Sequence, residues 1–187
     1  MTNTEKHSPL GTGNLYLIGY RGAGKTTLAP LIAKRLGREW VDLDYLIESL
    51  EGISVSDIFK SQGESAFRKM ESAVLADIAS HHSLVVSTGG GIVLDPANRQ
   101  LLQSTGIVIW LKASPQTLVH RIEQDPTLRP ALTSLPLIDE ITTLLKQRQK
   151  HYESTAHLVL DTEHHTLDEL AEKVISYLTT DNAIHRA

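Results

Sequence analysis

Gly19-Tyr20-Arg21-Gly22-Ala23-Gly24-Lys25-Thr26 has the spacing G-x-x-x-x-G-K-[ST] of a phosphate-binding loop. The chemistry that needs this spelling is polyphosphate binding. Glycines let successive backbone N–H groups crowd round phosphate oxygens, Lys25 places a positive charge on the β/γ side, and the Thr26 hydroxyl is suited to ligate Mg²⁺. A nucleoside triphosphate is the expected ligand.

Other residues with chemical potential lie further along. Asp42 and Asp44, two apart at the end of an apolar run, fall on one side of an extended backbone. One acid can serve Mg²⁺ and the other a substrate hydroxyl; the alternative is a plain pair of acids opening the next helix. Gly89-Gly90-Gly91 follows the run Leu84-Val85-Val86-Ser87, and such a loop can approach a ligand closely or bind an anion. Phe67, Glu71, Val74, Leu75 and Ile78 form one helical stripe in which Glu71 interrupts the apolar side, so a pair with Arg68, three residues earlier, is expected. Ile141, Leu145, Arg148 and Tyr152 share another face, which aims Arg148 inward. An inward guanidinium requires an anionic partner, either a structural carboxylate or a bound one, unless its aliphatic stem carries the charge out to water. Leu128-Arg129-Pro130-Ala131-Leu132, bounded by Asp125-Pro126 and Pro136, reads as a loop whose arginine can close over phosphates as a lid.

These groups need a scaffold that brings strand ends together. Apolar runs at 15–18, 40–43, 84–87, 107–111 and 158–160 alternate with amphipathic helical stretches, which predicts an α/β fold with a five-stranded parallel sheet covered on both faces. Leu28, Leu31, Ile32 and Leu36 at helical spacing before Gly37 place a helix directly behind the phosphate loop, its positive N-terminus toward the phosphates. Asp95-Pro96 and Ser114-Pro115 mark two further helix starts, and Ser54-x-x-Asp57 a third that reaches Phe59. Ligands in such sheets gather at the carboxyl ends of the strands.

The chain of 187 residues suits one domain over 14–180, with residues 1–13 read as a disordered lead-in and 181–187 as a frayed tail. Without cysteine it has no disulfide, thiolate metal site or cysteine nucleophile, in keeping with a reducing compartment, so a cytoplasmic location is expected. No apolar stretch approaches the roughly 20 residues of a membrane span, and 1–14 lack a signal-peptide core. A net charge of −4 without a long basic run argues against nucleic acid as a partner. The adjacent pairs His81-His82 and His164-His165 lack metal-ligand spacing and read as polar turns. With no obvious second apolar helix face, a monomer is expected.

Taken together, Gly22-Ala23-Gly24-Lys25-Thr26-Thr27, Asp42-x-Asp44, Gly63-Glu64-x-x-Phe67-Arg68-x-x-Glu71, Gly89-Gly90-Gly91, Arg129-Pro130 and Arg148-x-x-x-Tyr152 resemble the shikimate kinase family over residues 14–178. The resemblance implies phosphorylation of the 3-hydroxyl of shikimate by ATP with Mg²⁺, on the route to chorismate and the aromatic amino acids. It implies a three-layer, nucleoside-monophosphate-kinase-like fold with strand order 2-3-1-4-5 and a mobile lid. By position, Gly22, Ala23, Gly24, Lys25, Thr26, Thr27, Arg121 and Arg129 would bind ATP, with Thr26 and Asp42 at the metal. Asp44, Arg68, Gly89, Gly90, Gly91 and Arg148 would hold shikimate, the arginines at its carboxylate. Lys25, Asp44 and Arg129 would be the catalytic set, Asp44 as base. Two departures stand out: Lys150, where many relatives have proline before the tyrosine, and the polar Tyr20-Arg21 in the phosphate loop. The turn at Asp161-Thr162 matches the family poorly and is left unassigned.

Overall fold

The computed structural model describes residues 12–124 and 136–184. Its elements run β1 (Asn14–Ile18), α1 (Lys25–Leu36), β2 (Glu39–Asp42), α2 (Leu43–Glu51), α3 (Val55–Ala79), β3 (Leu84–Ser87), α4 (Pro96–Thr105), β4 (Gly106–Lys112), α5 (Pro115–Gln124), α6 (Leu137–Thr155), β5 (Leu158–Asp161) and α7 (Leu167–Ile184). All strand pairs are parallel, in the order β2-β3-β1-β4-β5. The sheet reverses direction of winding at β1, so the phosphate loop that follows β1 opens at a crevice between strand ends.

Alternation along β1 sorts its side chains between two helical layers. Leu15 and Leu17 join Leu28 and Ile32 of α1, Leu118 of α5 and Leu170 and Val174 of α7. Tyr16 and Ile18 join Leu75 and Ile78 of α3, Leu102 of α4 and Tyr152 of α6. These four side chains of β1 are fully buried, and each aliphatic one among them contributes about 1.5–3 kcal/mol by leaving water. A smaller cluster of Ile47, Val55, Ile58 and Phe67 ties α2 to α3 beside the crevice.

Four local expectations are revised. Burial on both faces holds for the inner strands but not for β2, where Glu39 and Trp40 are exposed, nor for β5, where Val159 is exposed, because these two strands form the sheet edges. Strand β2 also ends at Asp42, before Leu43: the Asp42 carboxylate accepts hydrogen bonds from the backbone N–H groups of Asp44 (3.0 Å) and Tyr45 (3.3 Å) and caps α2. Asp44 thus sits in the first turn of a helix and not in extended backbone. At the start of the chain, Thr12 and Gly13 are tied to the body, their carbonyls accepting from the Ser83 backbone N–H and the Arg38 guanidinium. Residues 1–11 lie outside the described residues. Helix α7 reaches Ile184, into the segment where fraying was expected.

Helix starts at Ser54 and Asp95 are capped by those side chains, and Ser114 Oγ accepts from the Thr117 N–H. Helix α3 is broken at Gly63, whose φ of 81° lies in the left-handed region, so the short helix expected to reach Phe59 is its first arm. The second arm then carries Phe67, Glu71, Leu75 and Ile78 inward. Among the described residues no helix is long and apolar enough to cross a membrane.

Candidate active site

A cleft of about 1570 Å³ opens at the carboxyl ends of the strands and is lined by the phosphate loop, Asp42, Asp44, Arg68, Glu71, Gly89–Gly91, Arg121 and Arg148. The phosphate loop is shaped by backbone geometry. Gly22 and Gly24 have φ of 78° and 94°, and a Cβ at Gly19 would stand 2.5 Å from the Leu111 carbonyl oxygen. Helix α1 begins at Lys25, so its N-terminal N–H groups face the loop. The Lys25 ammonium folds back over the loop and donates to the carbonyls of Gly19 (2.8 Å) and Tyr20 (2.9 Å).

At the second residue of α1, Thr26 Oγ1 donates to Asp42 Oδ2 at 2.8 Å and lies 3.3 Å from Ser87 Oγ. Asp42 and Ser87 are partners in the β2–β3 register, so two strand ends and a helix start deliver three oxygen donors to one place. A hydroxyl–carboxylate–hydroxyl set is what a hard cation such as Mg²⁺ takes. Ser87 was missed in the sequence because one serine ending an apolar strand carries no spacing signal; only its register with Asp42 marks it.

The Gly89–Gly91 loop, read in the sequence as able to approach a ligand closely or bind an anion, has side chains set close against it. A Cβ at Gly89 would lie 2.3 Å from Glu71 Oε1 and 3.2 Å from Asp44 Oδ1, and one at Gly91 would lie 2.4 Å from the Arg68 guanidinium. Gly89 and Gly91 thus form a floor on which the Glu71, Asp44 and Arg68 side chains rest, while Gly90 faces the backbone of Gly19–Arg21. The Gly90 carbonyl accepts from Arg148 Nη1 (3.2 Å) and from the Tyr152 hydroxyl. Two guanidiniums, from α3 and α6, therefore stand against consecutive residues of one loop, with Asp44 beside them.

Their electrostatics are asymmetric. The expected Arg68–Glu71 pair forms at 2.7 Å, and Glu64 adds a second carboxylate at 3.0 Å. Burial disfavours the charge on Arg68, but these two carboxylates outweigh it and hold its pKa above the ordinary arginine value. Burial pushes the Glu71 carboxyl up, with Arg68 opposing. Arg148 is buried with no carboxylate ion-paired to it among the described residues; its guanidinium lies over the Tyr20 ring at 5.7 Å. Burial raises the Tyr152 phenol to about 12, so it remains a hydrogen-bond donor to Gly90 at neutral pH. Glu71 Oε1 and Arg148 Nε are buried with no hydrogen-bond partner among the described residues.

On the far side of the loop, Arg121 donates to the carbonyl (2.7 Å) and hydroxyl (2.9 Å) of Thr162, and to the Gly22 carbonyl at 3.4 Å. The turn left unassigned in the sequence is thereby joined to the phosphate loop through a side chain. Thr27 follows Thr26 on α1 at the rim of the cleft. Arg129 and its lid segment lie outside the described residues. Lys150 is exposed on α6, which passes through that position as continuous helix. Asp161, Glu163 and His164 approach one another within 4.8 Å at the surface, but Glu163 is engaged by the Ser114 N–H at 2.6 Å.

A family model described as shikimate kinase matches residues 21–179. A shikimate kinase from Thermosynechococcus vestitus is 46% identical over 143 residues, 76% of this chain and 77% of the relative. One from Rhodopirellula baltica is 39% identical over 165 residues, covering 87% of this chain and 88% of the relative. The solved structure of an Acinetobacter baumannii shikimate kinase in complex with shikimate superposes with a TM-score of 0.86 at 34% identity, covering 92% of this chain and 96% of that one.

Proposed function

The chain belongs to the shikimate kinase family, and from that premise we propose that its cleft transfers the γ-phosphoryl group of ATP to the 3-hydroxyl of shikimate. The observation that carries this reading is the convergence of Arg68, Arg148 and Asp44 on Gly89–Gly91, beside a complete phosphate loop. Shikimate bears one carboxylate and a row of hydroxyls. Arg148, whose Nε has no hydrogen-bond partner among the described residues, and Arg68 suit the carboxylate; Asp44 suits the hydroxyls.

Each residue then has a defined task. The loop from Gly22 to Thr27 cradles the β- and γ-phosphates, and Lys25 neutralises charge that builds on them as the bond to the β-phosphate breaks. Asp44 accepts a hydrogen bond from the 3-hydroxyl, aims its oxygen at the γ-phosphorus and takes its proton as the new P–O bond forms, giving shikimate 3-phosphate and ADP. Thr26 and Asp42, with Ser87 beside them, would hold Mg²⁺, which supplies charge neutralisation and alignment of the phosphates. Arg121 braces the nucleotide side, and Arg129 is assigned to the phosphates as the lid arginine. Positioning of this kind accounts for most of the catalysis phosphoryl transfer requires. We assign the protein to the cytoplasm as a monomer, with ATP and shikimate as its partners.

The test is ADP release by the purified protein with MgATP and, in parallel, shikimate, gluconate, a nucleoside monophosphate or no acceptor. Turnover confined to shikimate is the expected result. Equal or greater turnover on another acceptor, or ATP binding without turnover on any, would overturn the assignment.

A further inference from the structure

Arg21, one of the unusual polar residues of the phosphate loop, is separated from its ion-pair partner by 119 positions: its Nη2 donates to Glu140 Oε1 at 2.6 Å. Glu140 stands in the first turn of α6 with its side chain fully buried, and the Arg21 side chain is only 14% exposed. The neighbouring Tyr20 hydroxyl donates to the same oxygen at 3.4 Å, while the Tyr20 ring lies beneath Arg21 (5.9 Å) and Arg148 (5.7 Å). The carbonyl of Tyr20 also accepts from Lys25. One dipeptide of the loop thus grips α6 at two levels, Glu140 and Arg148, two helical turns or about 12 Å apart on one face.

We propose that Arg21 and Glu140 are positioning residues for the acceptor site: the pair fixes α6 against the phosphate loop so that Arg148 is held over Gly90 at the carboxylate position. The physical reason lies in the burial of Glu140. Separating a fully buried carboxylate from the guanidinium that faces it is costly, so the helix start favours one loop geometry. A helix transmits that constraint as a rod, and small misplacement of a binding group has large kinetic effects. This inference rests on the shikimate-phosphorylating reading above.

The experiment is steady-state kinetics of the full chain as wild type, Glu140→Gln, Arg21→Met and the double variant, varying shikimate and ATP separately. The expected result is a shikimate KM raised about tenfold in each single variant with the ATP KM changed less than about twofold. The double variant should be no worse than the poorer single one, because the two act as a unit. Arg21→Lys, which keeps the charge but not the fork, should recover part of the shikimate KM and serves in place of Glu140→Gln if that variant does not fold. An unchanged shikimate KM in folded variants that merely melt earlier would reduce the pair to a structural contact and overturn the inference. A rise confined to the ATP KM would make Arg21 a phosphate ligand and overturn it equally. Those results leave the assigned reaction standing, whereas a wild type that does not turn over shikimate removes both.

Discussion

The two halves of the cleft are built on different principles. The proposed donor half is centred on one strand, one loop and one helix start, residues 14–26, whose shape comes from left-handed glycines and backbone N–H groups, with Asp42, Ser87 and Arg121 added at its edges. The proposed acceptor half draws Asp44 from α2, Arg68 from α3, Gly89–Gly91 from the end of β3 and Arg148 from α6, the last reaching Gly90 across 58 positions. A site made of backbone is specified by its own residues. A site made of converging side chains depends on every core contact that sets the helices, so it is open to disturbance from a distance.

The sharpest break in this contrast is Lys25→Met. The donor half loses the charge its loop is wound around, and kcat should fall about 10²–10³-fold with the circular dichroism unchanged. Retention of normal turnover would show that the loop backbone alone suffices. Arg148→Ala should reduce kcat/KM for shikimate about tenfold to a hundredfold while the ATP KM stays within about twofold; a matching change for ATP would mean that the halves are not separable. Gly91→Ala sharpens the comparison, since its new Cβ displaces the Arg68 guanidinium. Its shikimate KM should rise about threefold to tenfold. If the ATP KM rises instead, the glycine loop serves the phosphates as backbone and not as a floor for arginine.

The smallest effect concerns the brace between β5 and α5 outside both halves. Hydrogen bonds from Ser114 hold the Glu163 carboxyl at about 2, well below its ordinary 4.5. Because the folded value lies below the unfolded one, the stabilisation is present above about pH 4.5 and is lost as pH falls toward about 2. Thermal unfolding of Glu163→Gln should therefore sit slightly below wild type at pH 7 and converge with it at acid pH. A gap that persists to pH 2 would show that the carboxylate's charge is not what matters.

The same contrast separates what could be read in the chain from what could not. Glu71 and Arg148 were legible because each interrupts an apolar helical stripe, and both proved buried where the stripe placed them. Glu140, on the same α6 face two turns before Arg148, escaped that test because the stripe was followed from Ile141 onward. Asp42 and Asp44 were recognised as a pair, but extended spacing was the wrong geometry. The tendency of Asp42 to cap a helix converts strand to α2 one residue earlier and turns Asp44 toward the glycine floor. Ser87 and the Arg121–Thr162 contact had no sequence signal, since both depend on register or on a turn meeting a helix from elsewhere.

From residue order alone came the phosphate loop, the alternation of strands and helices, and the helix starts at Ser54, Asp95 and Ser114. Each of these is encoded within a few neighbouring residues by dihedral preference, capping and periodicity. Tertiary structure alone decided that Ser87 joins Asp42 at Thr26, that Gly89 and Gly91 carry glutamate and arginine side chains on their open faces, and that Arg21 reaches Glu140. Those facts rest on distances between elements far apart in the chain, and such distances exist only once both faces of β1 have been buried and the helices have taken their places against the sheet.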